Sequence, residues 1–180
     1  MRTVRLSLVL SGALLLLGAG SARAVSFEFT SDHCTGGCGT PPFGTVTLTQ
    51  VGADVDVVVH LFSPNFFVKT GALDQQAFTF NAIDVVLGDI TVDAHVPALA
   101  ASAGSFGGGG IGDFEFGINC PTCQNGAPGS FNTDISFTVA NAIIADLTAS
   151  NNKGIIFAAD ILSVAALGGT LHVGLAPGCG

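Results

Sequence analysis

Apolar and polar residues alternate along most of the chain, and the period is two. Between residues 53 and 61, Val55, Val57, Val59 and Leu61 share one face while Asp54, Asp56 and His60 fall on the other. That is the pattern of a half-buried strand. Residues 44–51 alternate in the same way, and only Gly52 and Ala53 separate the two runs, which predicts a β-hairpin. Further strands are predicted over 26–30, 65–69, 77–81, 90–95, 113–118, 134–139, 155–161 and 170–175. Phenylalanine recurs at i, i+2 spacing (Phe27 and Phe29, Phe78 and Phe80, Phe114 and Phe116), as side chains filling the space between two sheets must. Short strands at such regular intervals predict one all-β domain, an antiparallel β-sandwich or a jelly roll. Three stretches read differently. The alanine-rich 97–103 predicts one or two helical turns, 141–149 suits either a strand or a short helix, and 104–112 predicts a glycine-rich loop.

The N-terminus has the layout of an export signal. Arg2 and Arg5 precede an apolar run over 6–20, and Ser21-Ala22-Arg23-Ala24 offers a small-residue cleavage site after Ala24. Residues 1–24 are therefore expected to be a signal peptide and 25–180 the β-sandwich domain. The run is shorter and more glycine-broken than the ~20 apolar residues of a membrane span, so no stable membrane insertion is expected after cleavage.

Composition narrows the function. The chain has 180 residues, 48% of them hydrophobic, enough to build a core and too apolar for a disordered chain. The formal charge is −8, and the leader would take Arg2, Arg5 and Arg23 with it, leaving Lys69 and Lys153 against thirteen carboxylates. An acidic surface of this kind repels nucleic acids and anionic membranes, and it attracts divalent cations.

Four cysteines fall in two turn-rich loops. Cys34 and Cys38 flank Thr35-Gly36-Gly37, and Cys120 and Cys123 flank Pro121-Thr122. Two local disulfides suit such tight loops, and export into an oxidising compartment permits them. Crossed bridges between the loops and a four-cysteine zinc site use the same residues. Cys179 is left over, either free or available to link two chains.

Several of these segments together resemble exported bacterial proteins of the PEP-CTERM type. The resemblance runs through Phe27-Glu28-Phe29-Thr30-Ser31-Asp32-His33-Cys34-Thr35-Gly36-Gly37-Cys38-Gly39, Ile90-Thr91-Val92-Asp93-Ala94-His95, Gly117-Ile118-Asn119-Cys120-Pro121-Thr122-Cys123 and Phe157-Ala158-Ala159-Asp160-Ile161. It implies export and sorting to the envelope or extracellular matrix, often in bacteria that make exopolysaccharide. The sequence given ends His172-Val173-Gly174-Leu175-Ala176-Pro177-Gly178-Cys179-Gly180, without the Pro-Glu-Pro sorting signal. Free secretion is the expectation.

Catalytic motifs fail on context. Gly107, Gly109 and Gly112 satisfy G-x-G-x-x-G, but the segment that follows is a predicted strand where a dinucleotide site needs a helix. Ser150-Asn151-Asn152-Lys153 and Lys69-Thr70-Gly71 match two parts of the penicillin-binding set in the wrong order. No nucleophile elbow and no zinc-protease helix motif occurs in the sequence, so no enzyme is expected. The remaining chemistry is acid–histidine. Asp54, Asp56 and His60 share the polar face of one strand, and Asp93 and His95 share a face of another. As neighbours these strands would form a carboxylate–imidazole cation site, with calcium as the candidate ion. Otherwise they form a solvated sheet face. The chain has 14 Phe but no Trp or Tyr, which weakens carbohydrate recognition by stacking without removing recognition through hydrogen bonds or calcium.

The expected function is a non-catalytic exported envelope or extracellular-matrix protein. The alternative is a calcium- or carbohydrate-dependent binding module. Extracellular polysaccharide and other envelope components are the expected partners, and no oligomeric state follows from the sequence.

Overall fold

The computed structural model describes residues 22–34, 37–108, 110–163 and 166–174. The expected leader up to residue 21, and Cys179, lie outside the described residues. Among the described residues twelve strands follow one another: β1 (Arg23–Glu28), β2 (Ser31–Asp32), β3 (Gly44–Val51), β4 (Asp54–Leu61), β5 (Phe66–Phe67), β6 (Phe78–Phe80), β7 (Ile90–Val92), β8 (Ala100–Gly108), β9 (Gly112–Asn119), β10 (Ile135–Val139), β11 (Ile155–Ser163) and β12 (Ala166–Gly174). The first sheet has the order β1-β3-β4-β10-β7. The second runs β2-β12-β11-β6-β9-β8, with β5 paired to β11. Every pairing is antiparallel, so the fold is all-β and sandwich-like, as the alternation predicts.

The predicted hairpin is present. β3 and β4 pair from Gly44↔Leu61 to Val51↔Asp54, and Gly52 turns the chain at φ +63°, a conformation open to glycine. Val55, Val57, Val59 and Leu61 all face inward and are buried. Across the core, Phe137 of the first sheet packs on Phe78 and Phe80 of the second, with ring centroids 6.1 and 5.2 Å apart. Phe157 and Phe116 extend that aromatic layer, at 5.8 Å from Phe78 and 5.5 Å from Phe80. Of the i, i+2 phenylalanines, Phe27, Phe29, Phe78, Phe80 and Phe116 thus belong to the main core, and Phe114 belongs to a separate cluster.

The two sheets differ on their outer faces. The first leaves Thr45, Thr47, Thr49 and the acid–histidine residues toward solvent. The second is covered: Leu73, Ile111, Phe114, Ile155 and Ala158 form a second, smaller core outside the sheet, under the segment that links β5 to β6. Buried on both faces, β11 reads as a nearly continuous apolar run.

Two of the three stretches that read differently fall largely in a strand. The expected helical turns at 97–103 and the expected glycine loop at 104–112 are largely one edge strand, β8, hairpinned to β9 through a turn at 110–111. Alanine, serine and glycine are poor strand formers, but the ladder to β9 overrides that local preference. Residues 141–149 carry a short 3-10 turn at Asp146–Thr148. As the sheet edge, β8 has a register irregularity between Ala103 and Phe106, and the Asp74 carboxylate accepts the Gly107 amide at 2.7 Å.

Candidate functional site

The topology decides the acid–histidine question. β4 and β7 are not neighbours; both pair with β10, which lies between them. The condition for a shared cation site of Asp54, Asp56 and His60 with Asp93 and His95, two neighbouring strands, is therefore not met. The residue opposite His60 is Asp134, one step beyond the Ile135↔Val59 pair, and its Oδ1 lies 2.6 Å from His60 Nδ1. The two side chains are 45% and 44% exposed, so the pair sits at the surface without being fully solvated.

The other members of the set are engaged separately. Asp54 accepts the Asn141 amide at 3.0 Å, and Asp56 accepts the Thr138 hydroxyl at 2.8 Å. His95 uses both ring nitrogens: Nδ1 donates to Pro97 O at 2.6 Å, and Nε2 lies 2.7 Å from the Thr133 hydroxyl. Because a carbonyl only accepts, Nδ1 of His95 carries the proton and Nε2 takes the Thr133 O–H. Asp93 is exposed, its backbone amide bonded to Ser136 O. These residues hold neighbouring strands together and form no common cation cage.

His60 differs from His95. An ionised carboxylate only accepts, so His60 Nδ1–H donates to Asp134. A cleft of about 260 Å³ opens here, lined by His60, Leu61, Ser63, Pro64, Asn65 and Phe66, with Asn132 completing it. Asn65 is 6% exposed. Its Nδ2 donates to Phe62 O at 3.0 Å and Phe43 O at 3.4 Å, which fixes the amide orientation, and its Oδ1 is buried without a partner. A second cleft of about 340 Å³ lies by the β8–β9 hairpin, with Asn81, Asp113, Glu115, Asn151 and Asn152 among its walls.

The cysteines pair locally. Cα atoms are 5.4 Å apart for Cys34 and Cys38 and 5.3 Å for Cys120 and Cys123, both at disulfide distance. Each loop is tied to the body: Ser163 donates to Cys38 O at 3.0 Å, and Lys69 Nζ donates to Cys120 O at 3.1 Å. Among the described residues the gathered metal-ligand types are Asp32, Cys34 and Cys38, without Cys120 or Cys123. The four-cysteine zinc arrangement is thus not formed, and Asp32 accepts the Cys34 amide at 3.1 Å. Paired cysteines fit an oxidising, non-cytoplasmic environment, and no described helix is long and apolar enough to cross a membrane.

Sequence reasoning missed three residues. Asp134 immediately precedes β10, 74 positions from His60, and only the strand order joins them. Asn65 shows no sequence signal. Asp160 does: it is a lone acid inside an apolar run. It is fully buried on β11, and burial raises its carboxyl to about 6 against the lowering effect of hydrogen bonds from Thr70.

No protein-family model, curated protein sequence or solved structure matches the chain. The site's own chemistry therefore carries the functional argument.

Proposed function

We propose that the protein is a non-catalytic, exported bacterial component of the envelope or extracellular matrix. The observation that carries this reading is the local pairing of both cysteine loops, each anchored to a two-sheet core, behind a leader-like N-terminus. The acidic composition and the resemblance to PEP-CTERM-type proteins support the same compartment. The test is expression of the full chain with its leader, followed by fractionation and N-terminal sequencing. The expected product starts at Val25 outside the cytoplasm with both cysteine pairs oxidised. A full-length, reduced chain in the cytoplasm overturns the reading.

A second reading, a calcium- or carbohydrate-dependent binding module, is favoured by the acid- and amide-lined cleft by the β8–β9 hairpin. A ligand that binds only the folded state raises its stability. Thermal melts with calcium, with EDTA and with polysaccharide check it, and unchanged melts under all three count against it.

A further inference from the structure

The expected cleavage point after Ala24 lies inside a paired strand. β1 meets β3 at Arg23↔Gln50, Ala24↔Thr49 and Val25↔Leu48, so the residues on both sides of the Ala24–Val25 bond belong to the ladder. The small side chains that mark a cleavage site, Ala22 and Ala24, are exposed, but the backbone from Arg23 onward is engaged. The partner strand is held firmly at this point. Gln50 Nε2 donates to Ala142 O at 3.0 Å, and its Oε1 accepts the Ile144 amide at 3.1 Å, which ties the end of β3 to the segment after β10. Arg23 itself lines a cleft of about 380 Å³ with Gln50, Ile143 and Ile144. Further along, Ser26 Oγ lies 2.8 Å from the Thr47 hydroxyl, and Phe27 packs on Phe157 of the second sheet at 5.5 Å. Phe29, just past β1, is fully buried, and its amide donates to Gly44 O at 3.0 Å.

Proteases hold a substrate as extended chain through its backbone, and they cut where that backbone is exposed and unbonded. β1 offers one free edge, because β3 occupies the other. Enclosing the Ala24–Val25 bond therefore requires peeling Arg23 to Ser26 off β3, and cleavage then follows the population of that open form. From this we infer that leader removal by a signal peptidase precedes the docking of β1, and that a chain folding uncut closes its own processing site. Water adds across the Ala24–Val25 bond while the strand is off the sheet, leaving a carboxylate on Ala24 and an α-ammonium on Val25. Only then does Val25 pair with Leu48. The inference rests on the exported reading and adds the order of its steps: cut first, sheet completed second.

The test treats the full 180-residue chain, folded and oxidised beforehand, with a purified bacterial signal peptidase. Cleavage after Ala24 is read by mass and N-terminal sequencing. A variant with a flexible glycine–serine segment of about six residues inserted between Ala24 and Val25 carries the site off the sheet and leaves the rest of β1 in place. The folded parent is expected to be cut at least about tenfold more slowly than the folded insertion variant, the equivalent of ~1.4 kcal/mol of strand opening. The parent diluted from denaturant straight into the peptidase should be cut after Ala24 before it folds. Equal rates for the folded parent and the folded variant overturn the order of events and leave the leader reading standing. No cut after Ala24 in the variant or in the parent taken from denaturant overturns the leader reading itself.

Discussion

Thr70 donates both its backbone amide and its hydroxyl to a single oxygen of Asp160, at 2.8 and 2.5 Å, across 90 residues of sequence. The other carboxyl oxygen, Oδ1, is buried with no partner. This contact fastens the segment between β5 and β6 onto the outside of the second sheet, next to the small core of Leu73, Ile111 and Phe114. Burial outweighs the hydrogen bonds from Thr70 and from the Ile161 backbone, and it raises the carboxyl to about 6.

Stability should therefore fall as pH rises from about 4 to about 6. In that window the folded state keeps the Asp160 proton while the unfolded chain, near 3.8, has released it. Binding more protons when folded makes stability decrease with pH, by on the order of 3 kcal/mol across the window for this one group. Asp160→Asn should remove that component of the slope. Melting temperatures of both proteins, measured at half-unit pH steps, check it, and parallel profiles would count against the assignment.

Asp134→Ala should change the His60 tautomer with little effect on stability. A half-exposed imidazole–carboxylate contact contributes about 0–1 kcal/mol, so the melting temperature should barely move. Imidazole nitrogen shifts should show protonated Nδ1 in the parent protein and a redistribution toward protonated Nε2 in the variant. His95, held by Pro97 and Thr133, should keep its pattern in both.

Replacing either cysteine pair with serine should lower the melting temperature modestly and leave the fold intact. The pairs span four and three positions, and rings so small should each contribute less than the ~3 kcal/mol of a 15-residue loop. Non-reducing peptide mapping reads the connectivity directly. A peptide joining the Cys34 loop to the Cys120 loop would refute local pairing.

Phe78→Ala should destabilise the protein by about 3–5 kcal/mol, because its fully buried ring touches the aromatic layer from both sheets. Val96→Ala, at a side chain 88% exposed, should stay within about 0.5 kcal/mol of the parent. Denaturant unfolding of both variants provides the comparison.

The sandwich was legible where alternation was strict. Val55 to Leu61 and the paired phenylalanines identify the inward face without a structure, since a one-residue slip would expose all of them. The 100–108 segment was not legible, because its strand state comes from pairing with β9 and its own residues favour turns. The candidate site was half legible. His60 announces itself on a polar face, but Asp134 and Asn65 reach it only through the order of strands and the turn after β4. Two-residue periodicity carries no information about which strand lies beside which.

The Asp74 carboxylate on the Gly107 amide bears on how these molecules behave when crowded. A nine-residue, uncharged rim of Ala, Ser, Gly and one Phe is the kind of border on which a foreign chain can grow as an added strand, copy upon copy. Here the border is broken twice, by the irregularity between Ala103 and Phe106 and by a carboxylate that occupies the amide a newcomer would need. At high protein concentration an open strand edge of this kind is a hazard. Asp74 closes this edge at Gly107 from within the fold.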